Sequence, residues 1–219
     1  MADKRALIVW GGWDGHQPKE VGEVFMRVLK EEGFEVEVGD SLAAFNDAEK
    51  LKSFDLIVPI WTMGEISGEQ ESNVLAATES GVGMAGCHGG MCDAFRNSCG
   101  WQWLTGGQFV AHPGNDGTNY RVKMVPGSSP LVDGIEDFDV SSEQYYMHVD
   151  PANKVLAVTP MPTADGPHTP NGEFEMPVVW TKYFGEGKVF YNSLGHAADI
   201  FEIPQALELM RRGFNWAAR

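Results

Sequence analysis

Continuous apolar runs alternate with amphipathic segments along the first half of the chain. "RALIVW" (5–10), "FDLIVPIW" (54–61) and "VGMAGC" (82–87) carry almost no polar residue, the pattern of strands covered on both faces of a sheet, whereas "FEVEV" (34–38) alternates. Between them, Val21, Val24, Phe25, Val28 and Leu29 recur at helical spacing after Pro18, with Gly33 at the stop position. Ser67 and Gln70 have the spacing of a capping box and open a helix that runs to about Glu79. This grammar predicts right-handed βαβ units in which 5–10, 54–61 and 82–87 are neighbouring parallel strands with helices on both faces.

The pattern changes near residue 107. "GQFVAH", "YRVKMV", "DFDVS", "KVLAVT", "MPVVWTKY" and "KVFYNSL" read as strands joined by turns with little helix between them. "TPMPTADGPHTPNGEFEMP" (159–177) is rich in Pro and Gly and is predicted as one long loop, the best lid candidate. A last helix spans Pro204 to Ala217, with Leu207, Met210 and Phe214 on one stripe. The expectation is one α/β domain over residues 1–219, a parallel sheet with an antiparallel extension, without repeats or linkers.

Composition narrows the function. A formal net charge of −15 on 219 residues argues against nucleic acid or an anionic membrane surface, both of which demand a basic face, and favours a neutral or weakly charged ligand. "ALIVW" is too short for a signal-peptide core, and no segment approaches membrane-spanning length. Cys87, Cys92 and Cys99 are odd in number and lack C-x-x-C spacing, so neither a disulfide framework nor a structural zinc site is expected, and a cytoplasmic setting is. Seven Trp and 26 Gly fit tight loops around an aromatic-lined pocket.

In an open parallel sheet, ligands bind beyond the carboxyl ends of the strands. Those ends deliver Trp13, Asp14 and His16; Trp61 and Thr62; Cys87 and His88; His112; Glu143, Tyr145 and His148; and His196. Five of the six histidines thus follow predicted strands, and His168 falls in the lid candidate. Ordinary roles compete with this reading. His148 and His168 fit structural positions, Cys92 and Cys99 fit small buried hydrophobes, Asp14 fits a helix cap, and Arg96 fits the carboxyl end of the helix after residue 88. Trp61 fits core as well as pocket wall. "GGWDG" is too short for a dinucleotide fingerprint and Walker spacing is absent, so no nucleotide cofactor is expected.

"GVGMAGCHGGMCDAF" (81–95) admits two strand–turn–helix elbows. Ala85-Gly86-Cys87-His88-Gly89 centres Cys87 as a thiolate with a pKa lowered by the helix amino end. Gly86-Cys87-His88-Gly89-Gly90 centres His88, kept neutral by the same helix end and fit to serve as base, electrophile or metal ligand. Residue chemistry alone leaves both open.

Several long motifs in order, "WDGHQP", "GCHGGMCDAFR", "LTGGQFVAHPG", "SPLVDGIEDFDVSSEQYY", "MPVVWTKYFGEGKVFYNSLGH" and "GFNWA", resemble the ThuA-like trehalose-utilisation family across nearly the whole chain. The resemblance implies a three-layer, flavodoxin-like fold similar to class I glutamine amidotransferases. It also implies histidine at the elbow where amidotransferases carry cysteine, which selects the His88 frame. "LGHAAD" lacks the His-x-Glu pair that glutaminase chemistry needs. The implied biology is carbohydrate utilisation, acting on keto-sugars or glycosides made by a companion dehydrogenase.

The resulting expectation is a sugar-processing enzyme in which His88, His112, Glu143 and His196 are catalytic and Trp13, Asp14, His16, Trp61 and Tyr145 contact substrate. A divalent metal held by some of His16, His88, His112, Glu143 and His196 is a second reading. A non-catalytic sugar-binding or regulatory module and a Cys87-dependent hydrolase or amidotransferase are further alternatives. The expected partner is a small carbohydrate, with no nucleic acid and no membrane, and with room for a homo-oligomer.

Overall fold

The computed structural model describes residues 4–219. Its first half contains β1 (Arg5–Gly12), α1 (Pro18–Glu31), β2 (Glu35–Gly39), α2 (Ala48–Lys52), β3 (Leu56–Thr62), α3 (Gly68–Glu79), β4 (Gly83–Cys87), α4 (His88–Cys92) and α5 (Cys99–Thr105). There follow β5 (Gly107–Ala111), β6 (Thr118–Met124), β7 (Phe138–Ser142), β8 (Tyr146–Val149), β9 (Lys154–Met161), β10 (Phe174–Phe184), β11 (Gly187–Asn192) and α6 (Pro204–Ala217). Among the described residues nine strands form one sheet in the order β2-β1-β3-β4-β11-β10-β9-β6-β7, and β5 and β8 form a separate antiparallel pair.

β2, β1, β3, β4 and β11 are mutually parallel, and the predicted runs are the neighbours β1, β3 and β4. Their order is the 2-1-3-4-5 of flavodoxin-like sheets, with β11 as the fifth strand. From β10 onward the pairing is antiparallel, which is the predicted extension.

Side-chain alternation divides the core cleanly. Ala6 and Ile8 face one cluster, with Leu56, Val58 and Ile60, while Leu7, Val9 and Ile57 face the other. α1 and α6 cover the first face through Phe25, Leu29, Leu209, Met210 and Phe214, all essentially without solvent contact. α3 and α5 supply Val74, Ala77, Trp101 and Leu104 to the second. Each such buried large apolar side chain contributes about 1.5–3 kcal/mol relative to exposure. The capping box forms as predicted: the Ser67 hydroxyl accepts from the Gln70 amide, and the Gln70 side chain accepts from the Ser67 amide.

Three local expectations change. The segment 159–177 is not one loop: β9 continues through Met161 and β10 begins at Phe174, pairing Phe174 with Met161 and Met176 with Thr159. The loop proper is 162–173 and contains a 3₁₀ turn at Thr169–Asn171. The helix after residue 88 is only five residues long, so Arg96 lies outside it and instead makes two hydrogen bonds to the buried Asp93 carboxylate, at 2.6 and 2.9 Å. Cys99 is exposed because it opens α5 rather than sitting in its interior, whereas Cys92 is buried as expected.

Candidate functional site

The parallel strands end on one rim, and the chain turns sharply there. β4 stops at Cys87 and His88 turns the backbone with φ +45°, a left-handed conformation that non-glycine residues adopt at strained positions. Gly86 and Gly90 bracket it because neighbouring chain leaves no room for side chains. A Cβ at Gly90 would lie 2.9 Å from the Ile60 Cα, and one at Gly86 only 2.9 Å from the Met91 Sδ. The elbow therefore centres on His88.

Cys87, one residue earlier, points with Ala85 into the core under α1 and α6 and packs beside Gly195 and Phe201. Burial pushes its thiol far above the ordinary cysteine range, the reverse of the thiolate that a Cys87 elbow would require. The Cys87-centred reading fails on that orientation.

Around His88 the other strand ends contribute matching groups. His16 follows β1, His196 follows β11, and Glu143 stands one residue beyond β7. The Glu143 Oε2 lies 3.2 Å from His88 Nε2, 3.3 Å from His196 Nδ1 and 3.8 Å from His16 Nε2. One ligand atom from each of these four residues falls within 4.8 Å of all the others. His112, after β5, brings its Nε2 within 3.8 Å of Glu143 Oε1 but remains half-exposed at the mouth.

Hydrogen bonds orient the rings. His88 Nδ1 lies 2.8 Å from the Ser193 carbonyl oxygen, which can only accept, so Nδ1 carries the hydrogen and Nε2 of neutral His88 presents a lone pair. His16 Nδ1 is 2.8 Å from the Thr62 hydroxyl at the end of β3. Gly89 permits this placement, since a Cβ there would meet His16 Nδ1 at 2.5 Å. The Tyr120 hydroxyl donates to the Glu143 carbonyl at 3.0 Å and pins the backbone that carries the carboxylate. Tyr145 is buried and stacks on His88 with ring centroids 3.9 Å apart.

Electrostatics follow from this packing. Burial pulls His88 down to about 4, with the Glu143 contact opposing. Helix direction is therefore secondary to desolvation in keeping this ring neutral. For Glu143, burial disfavours the charge, but His16, His196 and His88 more than reverse that and hold the carboxyl well below its usual range. Glu143 also raises His196 above its ordinary value against the opposing effect of burial, although His196 Nδ1 lacks hydrogen-bond alignment with any partner.

The remaining candidates divide. Trp13 is 47 % exposed and stands edge-on to His16 with centroids 4.8 Å apart, an outer wall to the cluster. Asp14 is exposed and does not cap α1, whose N-cap position is Gln17. Trp61 packs over Gly11 and Gly64 against the core, leaving it outside the cluster. Tyr145 is a support for His88 rather than a free hydroxyl donor at a surface. His148 is exposed on β8 and is not one of the four clustered residues. His168 is buried and lines a cavity of about 700 Å³ that it shares with His112. Thr62 is among the strand-end groups named from sequence, whereas the Ser193 carbonyl is not, because a backbone acceptor leaves no trace in side-chain chemistry.

Fold and rim together define a flavodoxin-like α/β protein, a mostly parallel sheet with an antiparallel extension, in which histidine occupies the elbow. The chain belongs to the ThuA family, described as "Trehalose utilisation", whose model matches residues 5–217. It is similar in structure to a putative ThuA-like protein from Bacteroides uniformis, at 17 % identity and a TM-score of 0.76, covering 98 % of this chain and 91 % of that one. A putative ThuA-like protein from Parabacteroides merdae matches at 19 % identity and a TM-score of 0.72, over 99 % and 90 % of the two chains. A β-galactosidase from Bacillus circulans matches at 11 % identity and a TM-score of 0.60, over 97 % of this chain but 31 % of that one. At these identities the likeness is one of fold. No curated protein sequence matches the chain. Among the described residues no helix is long and apolar enough to cross a membrane.

Proposed function

We propose that this protein is an enzyme of carbohydrate utilisation that acts on a keto-sugar or its glycoside at a centre where His16, His88, His196 and Glu143 hold a divalent cation. The observation that carries the reading is the pairing of His88 Nε2 with Glu143 Oε2 at 3.2 Å while the other ring nitrogen is committed to Ser193. Two acceptors that close repel unless a proton or cation lies between them. Burial disfavours the proton on His88, and three imidazoles with one carboxylate suit a zinc-like ion. The Thr62 and Ser193 contacts fill the usual supporting role, fixing ring orientation from the far nitrogen.

A cation so held supplies positive charge to a substrate oxygen. His112 stays free of the four-residue set, half-exposed and next to Glu143, and is the group to take a proton from the carbon beside the keto group. The C–H electron pair then moves onto the carbonyl oxygen, giving an enediolate. In isomerisation His112 returns its proton to the former carbonyl carbon while the hydroxyl proton passes to the other oxygen. In elimination the carbonyl re-forms, the C–O bond to the aglycone breaks, and its oxygen takes the proton from His112 and leaves as an alcohol. Trp13 offers a ring face to the sugar at the outer wall.

Proton exchange tests this. Keto-glucose and keto-trehalose incubated with the protein in D₂O should lose the NMR signal of the hydrogen next to the carbonyl, and His112→Ala should slow the loss by about 10²-fold. Absence of both exchange and product with every keto-sugar would overturn the reading.

A further inference from the structure

The cavity of about 700 Å³ lies beside the four-residue centre, walled by the segment after β5 and by loop 162–173, and its volume is within the range of about 300–1,000 Å³ usual for small-molecule sites. We propose that it is the subsite for a second, unreacted pyranose unit, so that the substrate is a disaccharide or other glycoside rather than a free monosaccharide. This rests on the carbohydrate reading above and goes beyond it in naming where the second ring sits and which residues select it.

Continuity with the centre is the first support. His112 lines the cavity and also lies 3.8 Å from Glu143. Phe109, another lining residue, stacks with His112 at 5.6 Å between centroids and leans on Tyr145 at 4.5 Å, the ring beneath His88. A ligand spanning both spaces therefore places one part at the cation centre and the other against Phe109.

Lining chemistry is the second support. Phe109 and Tyr146 offer ring faces of the kind on which the apolar C–H face of a pyranose packs. Asp165, His168 and Asn171 supply donors and acceptors for hydroxyls. Among the described residues no Lys or Arg lines the cavity, which suits an uncharged ring and not a sugar phosphate.

His168 carries the argument furthest. It is 8 % exposed, its Nε2 has no hydrogen-bond partner, and Tyr146 meets its ring edge-on at 5.9 Å. An unpartnered polar atom in a buried ring is costly unless a ligand or water satisfies it. Its loop sits between β9 and β10 rather than on the rim of the parallel sheet, so it adds selection without belonging to the cluster.

Calorimetric titration with unoxidised trehalose and with glucose, on the metal-loaded protein, tests the subsite. Trehalose should bind the wild type about tenfold or more tighter than glucose, as expected for one to two added hydrogen bonds and a stacked ring. His168→Leu should bring the ratio of the two affinities close to one. Asn171→Ala, an exposed change that spares the fold, should reduce it in the same direction. A ratio unchanged in both variants, or a wild type that does not distinguish the sugars, would overturn the subsite and leave the carbohydrate reading standing. Failure of the wild type to bind either sugar at millimolar concentration would also overturn the subsite, and proton exchange with the keto-sugars decides the carbohydrate reading separately.

Discussion

His88 and Glu143, 55 residues apart in sequence, face each other across 3.2 Å with the remaining nitrogen of His88 already bonded to the Ser193 carbonyl. The imidazole cannot rotate to offer its hydrogen to the carboxylate without abandoning Ser193 and its stacking on Tyr145. This fixed confrontation fits the elbow residue to the ligand role proposed for it, with its Nε2 lone pair directed at the carboxylate.

His88→Asn keeps roughly the size of the ring's inner half but removes the lone pair at the centre. Turnover of a sugar substrate should fall by about 10²-fold or more. Cys87→Ser should retain most turnover, since Cys87 faces the core, and should instead lower stability by about 1–2 kcal/mol for placing a hydroxyl in an apolar site. Steady-state kinetics beside thermal melts of both variants separates the two effects. The reverse order would reinstate Cys87.

Gly89→Ala tests how closely the centre is packed. The new Cβ would overlap His16 Nδ1 and approach the Thr62 hydroxyl at 3.0 Å, so the ring must leave its bond to Thr62. Metal affinity should drop by about 10- to 100-fold, the scale for losing a group that orients a ligand. Competition with a metallochromic chelator measures it, and unchanged affinity would contradict the assigned position of His16.

Away from the site, Lys182 on β10 is buried and its ammonium bonds the Asp150 carboxylate at 2.7 Å and the Trp103 carbonyl. The ammonium side chain is 4 % exposed and the carboxylate side chain 22 %. Asp150→Ala strands a buried cation and should cost about 3 kcal/mol, whereas Lys182→Met leaves a carboxylate that water can reach and should cost less. Lys182 holds Asp150 below the ordinary carboxylate range. The pair therefore stabilises the fold above about pH 4 and loses that contribution as pH falls through the depressed value. Denaturant titrations at pH 7 and pH 3 should show a smaller acid loss in Lys182→Met than in the wild type.

Much of the architecture is legible because burial on both faces forces unbroken apolar runs: Ala6–Val9, Leu56–Ile60 and Val82–Ala85 have no polar alternative. The rim is legible for a related reason, since His16, His88, Glu143 and His196 stand just past strands, where an α/β sheet presents side chains to ligand. Loop 162–173 misleads because Pro160 and Pro177 resemble breakers, yet they sit within β9 and β10, where the pairing shifts register between Pro177 and Val179. The helix after the elbow is legible but its length is not: α4 ends at Cys92 after five residues, and its glycines serve close approach of neighbouring chain and not helix propensity. His168 and Tyr145 take roles set by neighbours 20 or more residues away, which no local pattern encodes.

The central claim, a cation held by three histidines and one glutamate, is tested most directly by metal content after equilibrium dialysis of chelator-treated protein against micromolar zinc. About one ion per chain should be retained by the wild type and lost in Glu143→Gln, which keeps the shape of the side chain and removes its charge. A wild type that retains no ion, or a variant that retains as much, would contradict the account.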